Sequence, residues 1–171
     1  SMHILSGPYK GKKIETSLKA QYRPTKSIVT KSLFDILGPL NGHSFLDLFS
    51  GSGIIGFEAL SRGASHIHFV ESNHYHIQML KTNSGFFPDK IHIHHQDVFK
   101  YLNTVSQSFD IIFADPPYNG IDIYPLIESS IQLLNSKGIF ILEVNRSNRK
   151  LLHDPKIRNY GKTQLAFWKN K

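Results

Sequence analysis

The chain has 171 residues, 40% of them hydrophobic and 12% aromatic, with no cysteine; that is enough for one domain with a real core and excludes disulfides and thiolate metal sites. No apolar run approaches the ~18 residues of a membrane helix, and the opening SMHILSGPYKGKK lacks the apolar centre of a signal peptide, so a cytoplasmic location is expected. The net charge of +7 is uneven: residues 1–31 hold seven Lys/Arg against one acid, residues 32–145 five against eleven, and residues 146–171 eight against one, a pattern that suits a polyanion such as nucleic acid held by basic ends around an acidic centre.

In chain order, residues 3–20 carry Gly7-Pro8 and Gly11 as punctuation, with Lys10, Lys12 and Lys13 at or after the turn. Two short strands forming a basic hairpin are expected there. After Arg23-Pro24-Thr25, the spacing of Val29, Leu33, Ile36 and Leu37 predicts a helix over Lys26 to Leu37. Thr25 is its expected N-cap, and Gly38-Pro39 stops it. Lys26 and Lys31 lie near the positive end of that helix, where the macrodipole disfavours them. An anion docked there would explain the placement.

Strands and helices then alternate. Strands are expected over Ser44–Phe49, Ile67–Val70, Ile91–His95, Ile111–Ala114 and Ile139–Val144. Helices are expected over Ile54–Arg62, Tyr75–Thr82, Phe99–Val105 and Ile123–Asn135, the last ended by Gly138. The tail, Lys156–Tyr160 and Thr163–Lys169, reads as a hairpin closing the sheet edge. Strand–helix alternation at this spacing means an α/β fold with a mostly parallel sheet and helices on both faces. One domain is expected, with an N-terminal hairpin arm over residues 2–24 and the main body over 25–171. The histidines His92 and His94 alternate with Ile91 and Ile93, as exposed residues on one strand face would. A metal site is not expected, since no acid–histidine helix pair accompanies them.

Four successive strands end at or near an acid: Asp47, Glu71, Asp97 and Asp115. In a parallel sheet those ends share one edge, where ligands bind. Gly51-Ser52-Gly53-Ile54-Ile55-Gly56 reads as G-x-G-x-x-G between strand and helix, and Glu71 follows Gly51 by 20 residues. That much also fits a nicotinamide dehydrogenase. Three features favour S-adenosylmethionine instead. Asp47 precedes the glycines in D-x-F-x-G-x-G, Asp97-Val98 follows the third strand, and Asp115-Pro116-Pro117-Tyr118 follows the fourth. The prolines hold Asp115 and Pro116 extended and leave a backbone that only accepts hydrogen bonds. An acid, a carbonyl and an aromatic ring at one strand end suit a flat ring bearing an amine.

At these motifs the chain resembles the Rossmann-like class I methyltransferases, whose D/N-P-P-Y/F signature marks those that methylate exocyclic amines of bases or glutamine amides. SGPYKGKK, RPT, SLFDIL, LDLFSGSGIIGFEALSRGA, FVES, ADPPY and GKTQLAFW, in this order over nearly the whole chain, are similar to the RsmD-type family. Those enzymes methylate N2 of a guanine in bacterial 16S rRNA. One departure lies after Arg23-Pro24-Thr25, where the family usually carries Arg and Glu and this chain has Lys26-Ser27-Ile28-Val29-Thr30-Lys31.

The resemblance implies a seven-stranded, mostly parallel sheet plus the hairpin arm. It implies S-adenosylmethionine as methyl donor, S-adenosylhomocysteine as product and no metal. Gly51, Ser52 and Gly53 would face the methionine part, with Asp47 near its amino group. Glu71 would take the ribose hydroxyls with Ser72 beside them, and Asp97 and Val98 would address adenine. Asp115 and the Pro116 carbonyl, followed by Pro117, would hold the target amine while Tyr118 stacks on the guanine. Lys10, Lys12, Lys13 and Arg23 would face phosphate. The implied partner is 16S rRNA in an assembling small subunit, and the protein is expected to be a monomer. A DNA adenine-N6 methyltransferase shares DPPY, but no segment is left over for DNA recognition. A non-catalytic RNA-binding module of the same fold is the rival from another class.

Overall fold

The computed structural model describes residues 2–17, 26–87 and 90–171. Arg23 and the expected N-cap Thr25 lie outside the described residues. The described chain begins with β1 (Met2–His3) and β2 (Lys13–Ile14), paired antiparallel as the glycine and proline punctuation predicts. It continues through α1 (Lys26–Leu37), β3 (Ser44–Leu48), α2 (Ile54–Ser61), β4 (His66–Glu71), α3 (His74–Ser84) and β5 (Ile91–His95). After these come α4 (Val98–Thr104), β6 (Phe109–Ala114), α5 (Ile123–Gln132), β7 (Leu134–Asn145), β8 (Lys156–Tyr160) and β9 (Thr163–Lys169).

Seven strands form one sheet in the order β5-β4-β3-β6-β7-β9-β8. β3 through β7 are parallel, and β9 joins antiparallel between β7 and β8. The C-terminal hairpin therefore closes the edge as expected, with its second strand on the inside.

Strand residues alternate between two apolar layers. Phe45, Ile67, Phe69, Ile111, Phe113, Ile141 and Leu165 meet α1, α2, α3 and the hairpin. Leu46, Leu48, Val70, Ile112, Phe140, Leu142, Ala166 and Trp168 meet α4 and α5. Trp168 lies in the core against Phe140, with ring centroids 5.3 Å apart, and its Nε1–H donates to the Leu152 carbonyl at 2.7 Å.

A two-residue ladder is marginal by itself, so the N-terminal hairpin depends on the body. Ile4 and Ile14 are buried beside α1 and α2, and each such side chain contributes about 1.5–3 kcal/mol on burial. Glu58, buried in α2, accepts from the Leu5 N–H at 2.7 Å, the Ser6 N–H at 3.2 Å and Arg62 Nε at 2.8 Å. The hairpin is thus tied to a helix of the sheet's own layer.

Two expectations are corrected. α5 stops at Gln132, and Gly138 lies inside β7. A Cβ on Gly138 would fall 2.9 Å from the Asn135 carbonyl and 3.0 Å from that of Asp110. The glycine therefore admits a close backbone approach where the β6–β7 register shifts, which is a strand role. The histidines are not simply an exposed row. His68 is buried, with Nδ1 2.9 Å from His94 Nε2, and its ring stacks on those of His92 and His94. α4 covers this face through Tyr101, whose ring lies 4.9 Å from that of His94. A period-2 pattern shows which residues share a face but not which helix lands on it.

Candidate active site

Asp47, Glu71, Asp115 and Glu143 continue the alternation of Phe45, Phe69, Phe113 and Ile141. All four therefore fall on the sheet face beneath α1 and α2, at the carboxyl ends of the strands. The register sets Asp47 opposite both Phe69 and Phe113, and Ala114 opposite Leu142. Asp115 and Glu143 are thus next to one another, one residue further along.

The β3–β4 part of the rim is closed by backbone. Asp47 is buried and accepts from the Gly56 N–H at 3.1 Å. Burial pushes its carboxyl well above the usual carboxylate range, and the Gly56 N–H and the Lys26 charge only partly offset this. Glu71 is buried too, and accepts from the Gly51 N–H at 2.7 Å and the Asn73 N–H at 2.8 Å. Gly53 precedes α2 at φ 92°, a conformation that favours glycine. Gly56 permits packing: a Cβ there would lie 2.3 Å from the Phe69 ring. By contrast, a Cβ on Gly51 would meet nothing within 4 Å. The turn beside Glu71 borders open space.

Phe49, between Asp47 and the glycines, has φ 56°. Such a conformation costs a bulky residue about 1–3 kcal/mol. It is a local strain at the rim that nothing in the sequence announced. Ser52 accepts at its carbonyl from Asn83 Nδ2 at 3.0 Å, and that same side chain also donates to the Glu15 carbonyl at 3.0 Å. The hairpin arm is linked to the glycine turn through this one amide.

Beyond β5, Asp97 caps α4 by accepting from the Lys100 N–H at 3.1 Å. It is exposed, as is Ser72, whereas Val98 is buried in the layer under α4 and α5. The β6–β7 part of the rim differs from the glycine side. Lys26 Nζ lies 3.3 Å from Asp115 Oδ2 and 3.5 Å from Glu143 Oε2, with its side chain 11% exposed and that of Glu143 2% exposed. The placement of Lys26 and Lys31 near the start of α1 is thus met by the protein's own carboxylates, Lys31 pairing with Asp35 at 2.7 Å, and calls for no docked anion. Glu143 and the Lys26 contact were not identified as site features from sequence. The signal for Glu143 was present, since it ends its strand as Asp47, Glu71 and Asp115 end theirs. Pro116 is half-buried, Pro117 is exposed, and Tyr118 is 83% exposed with its ring available for stacking.

The hairpin tip lies elsewhere, while Lys13 in β2 pairs with Glu15 at 3.3 Å. The Tyr9 N–H donates to Ser61 Oγ at 3.1 Å, so the hairpin tip sits at the C-terminal end of α2. Lys10 and Lys13 are exposed, and Lys12 Nζ rests 3.5 Å from the centroid of the Phe86 ring. Gly53 and Ser61 stand at opposite ends of α2, which at 1.5 Å per residue is about 12 Å long. The structure brings the acids, the glycine turn and Tyr118 to one edge and sets the hairpin tip apart from them. Among the described residues, no helix is long and apolar enough to cross a membrane, and no group of three or more His, Asp or Glu is arranged to hold a metal ion.

Comparison with known proteins agrees with this architecture. YlbH of Bacillus subtilis is 31% identical over 183 residues, covering 99% of this chain and 100% of YlbH. Ribosomal RNA small subunit methyltransferase D of Haemophilus influenzae is 32% identical over 139 residues, covering 78% of this chain and 70% of that protein. The solved structure of a hypothetical protein from Thermus thermophilus superposes with a TM-score of 0.83 at 27% identity, covering 98% of each chain. Residues 2–169 match the family described as conserved hypothetical protein 95. With its Rossmann-like sheet, its acid-rimmed glycine turn and its DPPY motif, the chain belongs to that family, the one that holds the RsmD-type small-subunit rRNA methyltransferases.

Proposed function

We propose that this protein transfers a methyl group from S-adenosylmethionine to the exocyclic N2 amine of a guanine in small-subunit rRNA. The observation that carries the reading is the placement of Asp47, Glu71 and Asp115 on one face of one rim, with Tyr118 exposed beside Asp115. Membership of a family that includes rRNA methyltransferases supports the substrate class.

In this reading the glycine turn and Asp47 hold the methionine end of the cofactor. Glu71 takes the ribose hydroxyls, with Ser72 alongside, and Asp97 and Val98 line the adenine. S-adenosylmethionine supplies a methyl already activated on a sulfonium, so transfer requires neither a metal nor a covalent intermediate. The protein's work is at the acceptor. A guanine amine is a poor nucleophile because its lone pair is spread into the ring. Its N–H groups donating to Asp115 and to the Pro116 carbonyl turn that lone pair toward the methyl. Positioning of this kind supplies up to about 7–11 kcal/mol of a barrier. The carboxylate also stabilises the positive charge that grows on nitrogen. The base has to be unpaired or flipped to reach the rim, and Tyr118 offers its ring face for stacking. Lys10, Lys12, Lys13 and Arg23 are the candidate phosphate contacts.

Incubation with tritiated S-adenosylmethionine and small subunits lacking the modification tests this directly. The expected product is N2-methylguanosine at one rRNA position, located by nucleoside mass mapping. RNA binding without transfer, or tighter binding of NAD than of S-adenosylhomocysteine, overturns the proposal.

A further inference from the structure

Two basic loops meet at the carboxyl end of β7. Residues 146–150, Arg-Ser-Asn-Arg-Lys, leave that strand, and Lys162 lies in the turn between β8 and β9. The register pairs Asn145 with Thr163, and one residue further on the Arg146 N–H donates to the Lys162 carbonyl at 2.7 Å. Both loops therefore lie on the sheet edge that carries the acids. Ala114 is level with Leu142, so Arg146 stands one strand across from Asp115 and about three residues beyond it, on the order of 10 Å away at strand spacings. The first loop is anchored. Leu151 is buried in the layer under α4 and α5, and the Leu152 carbonyl accepts from Trp168 Nε1. Arg146, Arg149, Lys150 and Lys162 are all exposed, and among the described residues none of the four has an ion-pair partner. Residues 146–171 hold a single acid, Asp154. Like charges gathered in two adjoining loops repel one another, and a polyanion relieves that repulsion. The hairpin tip with Lys10 and Lys12, by contrast, sits at the end of α2 remote from the glycine turn.

We infer that Arg146, Arg149, Lys150 and Lys162 form a platform for the RNA backbone next to the target nucleotide, so that the strand crosses the β7–β9 end of the rim while its unpaired base enters beside Asp115. This rests on the proposed function above. The ligand class is single-stranded RNA. Proteins that hold single strands combine a basic track for phosphates with an aromatic ring for a base. Here the track lies past the end of β7, and the ring is that of Tyr118, exposed in the loop after β6. β6 and β7 are neighbours in the sheet. A strand whose base stacks on Tyr118 therefore brings its neighbouring phosphates over the basic loops. The arginine forks match phosphate oxygens in pairs, and the lysines add point charge. Contacts of this kind fix the register of the backbone and carry no sequence information. They act on substrate binding, not on the chemical step.

The test uses the full chain and two charge-matched variants. One carries Arg146→Gln, Arg149→Gln, Lys150→Gln and Lys162→Gln. The other carries Lys90→Gln, Lys137→Gln, Lys169→Gln and Lys171→Gln, exposed lysines at the opposite edge, where β5 and β7 begin and β9 ends. Binding of rRNA from small subunits lacking the modification is measured from about 50 to 200 mM salt, alongside methyl-transfer kinetics and S-adenosylhomocysteine affinity. Each phosphate neutralised on a single strand adds about 0.7 to the slope of log affinity against log salt, so the first variant should lose about 2–3 from that slope. Its KM for the subunit should rise about tenfold or more, with kcat at saturation and S-adenosylhomocysteine affinity within about threefold of wild type. The opposite-edge variant should keep the wild-type slope and KM. Equal losses in the two variants signify attraction by net charge alone and overturn the inference. So does a wild-type slope in the first variant, or a fall in its kcat with KM unchanged. Retained S-adenosylhomocysteine affinity shows that the first variant is folded. If that affinity is lost, the Arg146→Gln/Lys162→Gln pair decides, with a slope loss of about 1.4 expected and a wild-type slope overturning the inference. A wild type that binds rRNA but transfers no methyl removes the proposed function, while the slopes still decide the platform. A wild type that binds no rRNA overturns both.

Discussion

The two halves of the rim carry the same kind of side chain and treat it differently. Around β3 and β4, Asp47 and Glu71 are satisfied by main-chain N–H groups of Gly56, Gly51 and Asn73. Around β6 and β7, Asp115 and Glu143 share the ammonium of Lys26, at the end of a four-carbon stem. Main-chain donors are fixed by the fold, so the first half is built before any ligand arrives. The second half is held by a side chain that can adjust. In the proposed reaction, the first half would face the cofactor and the second the base.

The largest expected effect comes from breaking the adjustable half. Asp115→Asn removes the charge but keeps the shape, and transfer should fall by about 100-fold or more. S-adenosylhomocysteine affinity, read by calorimetry, should stay within a few-fold. The mirror-image substitution is Glu71→Gln in the fixed half. It should weaken S-adenosylhomocysteine by about tenfold or more, the worth of a charge-assisted hydrogen bond, while kcat at saturating cofactor changes little. If the two variants give the same pattern, the halves are not distinct.

Gly56→Ala sharpens the contrast at the level of stability. Its Cβ would press on the Phe69 ring beneath the donor that holds Asp47. Such overpacking should lower stability by about 1–3 kcal/mol in denaturant titration. The opposite face of β4 gives a pH test. Burial, together with its histidine neighbours, depresses His68 from 6.5 to about 4, and burial lowers His94 as well. The unfolded chain takes up protons below pH 6.5 that these rings refuse. Stability should therefore be full above that pH and fall progressively toward pH 4. His68→Gln should flatten the slope of the thermal midpoint over that interval. The smallest effect is expected from Trp168→Phe. It keeps the stacking on Phe140, loses the bond to the Leu152 carbonyl, and should cost about 1 kcal/mol.

Much of this was legible in the sequence. α1 and β5 have the expected bounds, and the parallel sheet with its edge hairpin follows from the alternation of elements. The acids Asp47, Glu71 and Asp115 meet as expected because their positions depend on strand phase, which is local. What escaped depends on distant pairs. Lys26 and Asp115 are 89 residues apart in the chain, and no local pattern says that α1 starts above the end of β6. Gly138 looks like a helix stop until the β6 backbone is seen against it. His94 looks exposed beside His92 until Tyr101 of α4 covers it.

The strand order also governs how the molecule is assembled. β9, residues Thr163–Lys169, is inserted between two strands that precede it in the chain. During synthesis β7 emerges first, with the hydrogen-bonding edge of Gly138–Asn145 unpartnered until β9 arrives. An open apolar strand edge of that kind invites wrong partners. Slow translation across residues 146–162 prolongs the exposure. The wall carrying Glu143 thus gains its outer neighbour only as the final strand docks, and nascent chains should remain prone to aggregation until that moment.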